Sequence, residues 1–269
     1  MPDVYTKIVD AAPALLEGLM TVLERRAADP QQRAMLDTYL ADAAIPQGAR
    51  VLEIGCGTGA VTRVLAAWPG VAEAVGVDPS PVFVAKAREL GAGFATLAFE
   101  AADGRSLPLA SHTFDTVVFH TTLCHVPDPD AMLHEAVRVL RPGGCLAVFD
   151  GDYATGTLAL GAGDPLDACA EAFRTHFIHD PWLVRRLPRL VQAAGVQLQR
   201  IRSYGYVEAL APGFMLSGWV DLGADALVAA GRMGADMAAA LKAEARRRVA
   251  SGEYFGHIAY MSCVARKPA

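Results

Sequence analysis

Apolar residues recur at helical spacing through the first part of the chain. A period of three to four residues predicts an amphipathic helix, and Pro13 inside the pattern predicts that this helix is broken into two pieces. The dipeptide Asp29-Pro30 is typical of a helix start, so a further helix is expected from there to Ile45. The recurring apolar residues of the first pattern are Val4, Ile8, Ala11, Leu15, Leu19 and Val22.

Short apolar runs then alternate with helical patterns. Helices are predicted after the first, second and fourth of these runs, and this alternation indicates a mostly parallel sheet with helices on both faces. The predicted strands are 50–54, 73–77, 95–101, 116–120 and 145–149, and the predicted helices are 61–68, 80–91 and 130–140.

The pattern is less regular after residue 150. Helix is predicted over Asp164 to Leu187 and over most of Ala211 to Ala250, and strands over Val196 to Tyr204 and Tyr254 to Arg266. The long helical stretch between the last two strands predicts a helical lid insertion near the C-terminus. The expected fold is therefore α/β and Rossmann-like. It forms a single domain over 1–269, with a helical cap at 1–44, a core at 45–150, and the remaining strands and substrate-binding helices at 151–269.

Composition narrows the classes of function. Hydrophobic residues make up 53% of the 269 residues, enough for a substantial core, and the net charge of −5 argues against nucleic acid as a partner. The five cysteines form no CxxC pair and no metal-ligand spacing is present, which predicts reduced thiols in a cytoplasmic protein without a bound metal. The acidic N-terminus does not resemble a signal peptide, and no charge-free run reaches the roughly 20 residues of a membrane span. A monomer or a homodimer is expected.

A glycine-rich turn follows the first predicted strand, in VLEIGCGTGA at 51–60. Gly55, Gly57 and Ala60 fit the dinucleotide pattern GxGxxG/A, and Asp78 ends the next strand, where an acid can bind a ribose, so an NAD enzyme remains an alternative. Glu53 opposes that alternative, because a carboxylate beside a pyrophosphate would be repelled in a low dielectric. S-adenosylmethionine carries no phosphate but has a sulfonium and an ammonium group, which Glu53 would attract.

The glycine-rich turn is the first of five motifs that follow one another along the chain. They are VLEIGCGTG, GVDPS at 76–80, AADGRSLPL at 101–109, FDTVVFHTTLCHV at 114–126 and VLRPGGCLAVFD at 139–150. Together they resemble class I S-adenosylmethionine-dependent methyltransferases, above all the branch of the ubiquinone/menaquinone-biosynthesis and other small-molecule methyltransferases. The resemblance covers about residues 45 to 150. It implies S-adenosylmethionine as cofactor and S-adenosylhomocysteine as product.

The resemblance also implies roles for individual residues. Glu53, Gly55 and Gly57 would line the methionine side of the cofactor, and Asp78 would accept hydrogen bonds from both ribose hydroxyls. The remaining cofactor-binding residues would be Pro79 and Ser80 beside the adenine, Asp103 and Gly104 at its amino edge, His120 near the sulfonium, and Tyr5 closing over the cofactor.

The acceptor and the catalytic base are less clearly indicated. His176 is the first candidate base and His125 the second, with packing or capping as the alternative for each. Phe214, Met215, Leu216, Trp219 and Met233 form an apolar series that either lines an acceptor pocket or belongs to the core. The expected activity is methyl transfer to O, N or C of a small apolar or aromatic metabolite of quinone or natural-product type. A protein of the same fold that binds the cofactor for another reaction is the alternative.

Overall fold

The computed structural model describes residues 3–209 and 215–269, and at its centre is a seven-stranded sheet. The strands are β1 (Ala49–Ile54), β2 (Val71–Asp78), β3 (Leu97–Ala101), β4 (Phe114–His120), β5 (Leu140–Thr157), β6 (Gln197–Glu208) and β7 (Gly256–Arg266). Their order is β3-β2-β1-β4-β5-β7-β6. Strands β1 to β5 are parallel, whereas β7 runs antiparallel to both of its neighbours. The predicted α/β class with a mostly parallel sheet is confirmed.

Helices flank this sheet. They are α1 (Pro13–Ala28), α2 (Pro30–Ala43), α3 (Ala60–Ala66), α4 (Pro81–Gly91), α5 (Pro129–Val139), α6 (Leu166–Phe177), α7 (Leu187–Ala193), α8 (Ser217–Ala229) and α9 (Ala235–Ser251). Short 3-10 helices lie at Val4–Asp10, Leu123–His125 and Leu183–Arg185. The chain opens with a 3-10 helix followed by α1, so the predicted break at Pro13 is present.

Three helices start in the same way. Asp29, Ser80 and Asp128 each accept a hydrogen bond from a backbone N–H of the first turn, and each is followed by a proline at the first helical position. The side-chain oxygen satisfies an amide that the helix leaves unpaired, and proline has no amide to lose there. Local sequence therefore defines these starts.

The long helix predicted over Asp164 to Leu187 is wrong in its extent. The structure has α6, then an irregular stretch and a 3-10 turn, and then α7. Pro181 lies in the interruption, where it disfavours a helical conformation of the residue before it. The predicted strand at 145–149 is the central part of the longer β5.

The helical insertion between β6 and β7 is present as α8 and α9. Helix α8 packs closely on α6: the ring of Trp219 stacks on Phe173 at 4.4 Å between centroids. Gly223 permits this approach, because a Cβ atom added there would lie 2.0 Å from the carbonyl oxygen of Cys169. No helix among the described residues is long and apolar enough to cross a bilayer.

Strands β1 and β4 lie in the middle of the sheet and are buried on both faces, which explains their nearly continuous apolar sequences. Strand β1 pairs with β2 on one side and with β4 on the other. The chain proceeds from β1 to β2 and β3 toward one edge of the sheet and then crosses back to β4, so the strand order reverses beside β1. Ligands bind at such a switch point, outside the carboxyl ends of the strands. The glycine turn after β1 and the segment after β4 meet at this place.

Candidate functional site

A cavity of about 530 Å³ opens at the carboxyl ends of β1, β2 and β4, and the N-terminal helices close over it. Eight residues predicted from the sequence line it: Tyr5, Glu53, Gly55, Gly57, Asp78, Pro79, His120 and His125. The apolar part of the lining includes Ile8, Leu23, Leu36, Val61, Phe83, Phe94, Val126 and Met132. The cavity size is typical of a small-molecule site.

The glycine turn owes its shape to left-handed backbone conformations. Gly55, Gly57 and Gly59 have φ angles of 78°, 53° and 75°, which side chains other than glycine rarely adopt. A Cβ atom on Gly55 would lie 2.3 Å from Cγ2 of Thr122, so this turn is also pressed against the segment after β4. Gly59, which precedes α3, was not singled out from the sequence.

Glu53 lies on β1 with 2% of its surface exposed. Its Oε2 accepts a hydrogen bond from the hydroxyl of Thr62 at 2.5 Å. Burial raises the pKa of Glu53 to about 8, against the lowering effect of Thr62. The raised pKa favours the protonated carboxyl group at neutral pH, and a bound cation would favour its ionised form.

Asp78 connects the turns that follow β1 and β2. Its Oδ2 accepts from the backbone N–H of Gly57 and its Oδ1 from that of Ser80, both at 2.9 Å. Burial raises the pKa of Asp78 to about 6, although these two hydrogen bonds lower it. Each oxygen keeps a second acceptor position, so a pair of hydroxyl groups can still bind here.

His120 is buried at the end of β4. Its Nδ1 lies 3.0 Å from the hydroxyl of Tyr39, and its ring stacks on Phe149 at 4.8 Å. Burial lowers the pKa of His120 well below its usual value, so the ring is neutral. It can shape the cavity floor without adding charge.

His125 forms a carboxylate–histidine pair with Asp3. Nδ1 of His125 lies 2.6 Å from Oδ2 of Asp3, and Asp3 is buried and also accepts from the backbone N–H groups of Tyr5 and His179. The ring of Tyr5 lies 4.4 Å from that of His125. With Nδ1 donating to Asp3, Nε2 is the nitrogen that can accept a proton. No sequence pattern signals this pair, because 122 residues separate its members.

Helix α1 is tied to the glycine turn through Glu24. Its two carboxylate oxygens accept from the Thr58 hydroxyl and from Nη2 of Arg63, each at 2.6 Å. Arg63 also donates to the carbonyl of Thr58. The three side chains hold the cap over the cavity, and sequence reasoning did not identify them.

Four predicted site residues lie outside the lining of this cavity. Ser80 caps α4, and Gly104 packs against Ile54 and Met132. Asp103 forms an ion pair with Arg105 at 2.7 Å, which lowers its pKa. His176 lies in the last turn of α6.

The apolar series near α8 belongs largely to the core. Leu216 and Trp219 are buried there, Met215 and Met233 pack against the same cluster, and none of the four lines the cavity. Core packing, the alternative weighed for them, is what is observed. Phe214 lies outside the described residues.

Comparison with known proteins agrees with this geometry. Residues 52–148, which span β1 to the middle of β5, match the family model described as a methyltransferase domain. Methyltransferase GfsG of Streptomyces halstedii is 33% identical over 157 residues, which cover 57% of this chain and 55% of that protein. The 2-methyl-6-phytyl-1,4-hydroquinone methyltransferase of Synechocystis sp. is 36% identical over 106 residues, which cover 39% of this chain and 33% of that protein.

A solved structure agrees with the fold. A candidate methyltransferase from Bacillus halodurans C-125 superposes with a TM-score of 0.62 at 21% identity, covering 87% of this chain and 99% of that one. The aligned segments span only 31% to 55% of the length of the first curated relatives. S-adenosylmethionine is the cofactor of the matched family. Residues 52–148 thus match a methyltransferase domain family, and the sheet built around them has the Rossmann-like fold of solved methyltransferases.

Proposed function

We propose that this protein transfers a methyl group from S-adenosylmethionine to a small organic acceptor. The observation that carries the proposal is the pair of buried carboxyl groups, Glu53 and Asp78, in one cavity beside a left-handed glycine turn. A sulfonium and an ammonium group would be attracted by such a site, whereas a pyrophosphate would be repelled. Within it, Asp78 binds the ribose hydroxyls, and Glu53 and the glycine turn face the methionine part.

Methyl transfer needs alignment more than bond activation, because the donor already carries its leaving group. The cavity supplies a largely apolar space in which an acceptor atom can be held in line with the methyl carbon. Leu36, Val126 and Met132 contribute to its apolar lining. An apolar or aromatic acceptor of quinone or natural-product type fits this lining, and one relative bears the name of a hydroquinone methyltransferase.

His125 is the base in this proposal. It lines the cavity, Asp3 holds its ring, and its Nε2 is available to take a proton from a hydroxyl, amine or activated carbon. His176, the first choice from the sequence, lies on α6 outside the cavity lining. A base is required only where the acceptor must lose its proton as it is methylated.

Binding and turnover together test the proposal. Calorimetry with S-adenosylmethionine, S-adenosylhomocysteine and NAD should show binding of the first two and none of the third. Incubation with a panel of phenols, hydroquinones and amines should then produce S-adenosylhomocysteine with at least one of them. Binding of NAD alone would contradict the proposed cofactor. Tight S-adenosylmethionine binding without consumption on any acceptor would favour a non-methylating member of the fold.

A further inference from the structure

Arg26 is a cavity residue that the proposed reaction has not yet used. Helix α1 directs Leu23, Arg26 and Ala27 toward the cavity, since positions three and four apart share one helix face. Its positive charge lowers the pKa of Glu53 on β1 and of His120 on β4.

Arg26 forms no ion pair in the part of the chain that the structure describes. The other arginines in the lining, Arg33 and Arg63, form ion pairs with Asp37 and Glu24. Over residues 3–209 and 215–269, Arg26 has no carboxylate within 4.0 Å.

The acidic side chains of the lining are each engaged elsewhere. Glu24 is held by Thr58 and Arg63, Glu53 accepts from Thr62, and Asp78 accepts from two backbone amides. Asp3, which lies behind His125, is also engaged. A guanidinium that faces a partly apolar cavity without a counterion is costly, and a bound anion would stabilise it.

Gln32 provides a second polar group, one atom of which has no hydrogen-bond partner among the described residues. It lines the same cavity with 3% of its surface exposed, and its Oε1 has no hydrogen-bond partner among the described residues. Its Nε2 lies 4.0 Å from the sulfur of Met215, and its amide also forms a hydrogen bond with Tyr260. Rotation of the side-chain amide exchanges its oxygen and its nitrogen, so either end can serve a ligand. A buried amide in this state indicates a ligand group that completes it.

We propose that Arg26, assisted by Gln32, binds a carboxylate of a ligand in the cavity. The proposal rests on the function proposed above and deepens it. The carboxylate comes either from the amino-acid part of the cofactor or from an acidic acceptor, and a planar guanidinium binds both through two parallel N–H···O bonds.

Arg26→Met tests this, with Arg26→Lys as the conservative variant and Arg246→Met as a control at an exposed arginine on α9. Each is titrated with S-adenosylhomocysteine and with its decarboxylated analogue, which lacks only the carboxylate. If the cofactor supplies the group, Arg26→Met weakens S-adenosylhomocysteine binding by roughly 10-fold to 100-fold and leaves the analogue unchanged. Arg26→Lys should recover part of the loss, and Arg246→Met should match the wild type.

The second arm addresses the acceptor. Benzoate and the neutral benzamide are titrated into the complex with S-adenosylhomocysteine. If the acceptor supplies the carboxylate, benzoate binds more tightly than benzamide in the wild type, and Arg26→Met abolishes this preference while cofactor affinity stays within about twofold. Unchanged behaviour of Arg26→Met in both arms overturns the inference. Failure of the wild type to bind S-adenosylhomocysteine at all would instead refute the proposed function.

Discussion

At the scale of single residues, burial decides the charge of the site. Glu53 and Asp78 both lie inside the cavity, and loss of hydration raises the pKa of both carboxyl groups. A bound cation would therefore displace the proton that Glu53 holds near neutral pH.

We expect cofactor affinity to increase with pH up to about 8, the pKa of Glu53. Below that value the carboxyl group must lose its proton before it can pair with the sulfonium or ammonium, which weakens binding by at most about tenfold per pH unit. Calorimetry of S-adenosylmethionine binding in buffers of different ionisation enthalpy would detect the released proton. Glu53→Gln should bind more weakly and release no proton, and an unchanged pH dependence in this variant would assign the proton elsewhere.

His125→Ala should lower kcat by roughly 10² to 10⁴ for an acceptor that must be deprotonated, with little change in cofactor affinity. Asp3→Asn should cause a smaller loss, because it removes the charge that stabilises a protonated ring. Steady-state kinetics over a range of pH would measure both effects. The control is His134→Ala, an exposed histidine of α5. Wild-type kcat in His125→Ala would exclude His125 as the base.

At the scale of elements, α1 forms one wall of the cavity. Its attachment to the glycine turn depends on Glu24, which bonds Thr58 and Arg63. These side chains are partly exposed, so each bond contributes modestly. Closure of α1 and binding of the cofactor should therefore be coupled.

Glu24→Gln should weaken S-adenosylhomocysteine binding by about threefold to tenfold, since the closed position of α1 loses its ion pair. Hydrogen exchange should be faster in α1 of this variant and unchanged in the central strands. Glu89→Gln serves as the control, because Glu89 forms an exposed ion pair with Lys86 on α4. Equal exchange in both variants would mean that α1 is held by its apolar contacts alone.

At the scale of the whole molecule, one sheet joins the matched family region to the remainder. Strand β5 pairs with β4 on one edge and with β7 on the other, and a single buried cluster extends from Met35 to Ala265. We propose on this basis that the chain is a single folding unit, as the sequence predicts.

Unfolding should then be one transition. Along the chain, Trp68 lies between β1 and β2, and Trp219 lies between β6 and β7. These two pairs of strands are on opposite sides of β5 in the sheet order. Single-tryptophan variants that keep one or the other should give the same denaturant midpoint by fluorescence, and circular dichroism should coincide with both. Different denaturant midpoints for the two variants would indicate two independent folding units.

Global stability should decrease as pH rises from about 4.5 to about 8. Over this window the folded chain holds a proton on Glu53 that the unfolded chain has lost, so the free energy of unfolding falls. Asp78 adds to the same trend below about pH 6. Glu53→Gln should flatten the profile and stabilise the apo protein at pH 8, as measured by urea denaturation. A difference between variant and wild type that is independent of pH would contradict the raised pKa.

Much of the fold was predictable because it is encoded locally. Alternating apolar runs and helical patterns indicate the parallel sheet, and capping residues such as Ser80 define helix starts. The prediction of one long helix after residue 164 was wrong because the apolar periodicity continues through a segment in which Pro181 interrupts the helix. Trp219 lies in the core and not in a pocket because its ring packs against Phe173 of α6, a contact that the sequence pattern does not reveal.

The sequence by itself predicted the glycine turn, the acids Glu53 and Asp78 and the cofactor that they suit. These predictions depend on short motifs at the ends of two apolar strands, which are local features of the chain. Only the tertiary structure decided that Asp3 orients His125, that Glu24 fastens α1, and that Arg26 faces the cavity unpaired. These contacts join segments far apart along the chain. Their partners are selected by how the cap packs on the sheet, which no local pattern of residues encodes.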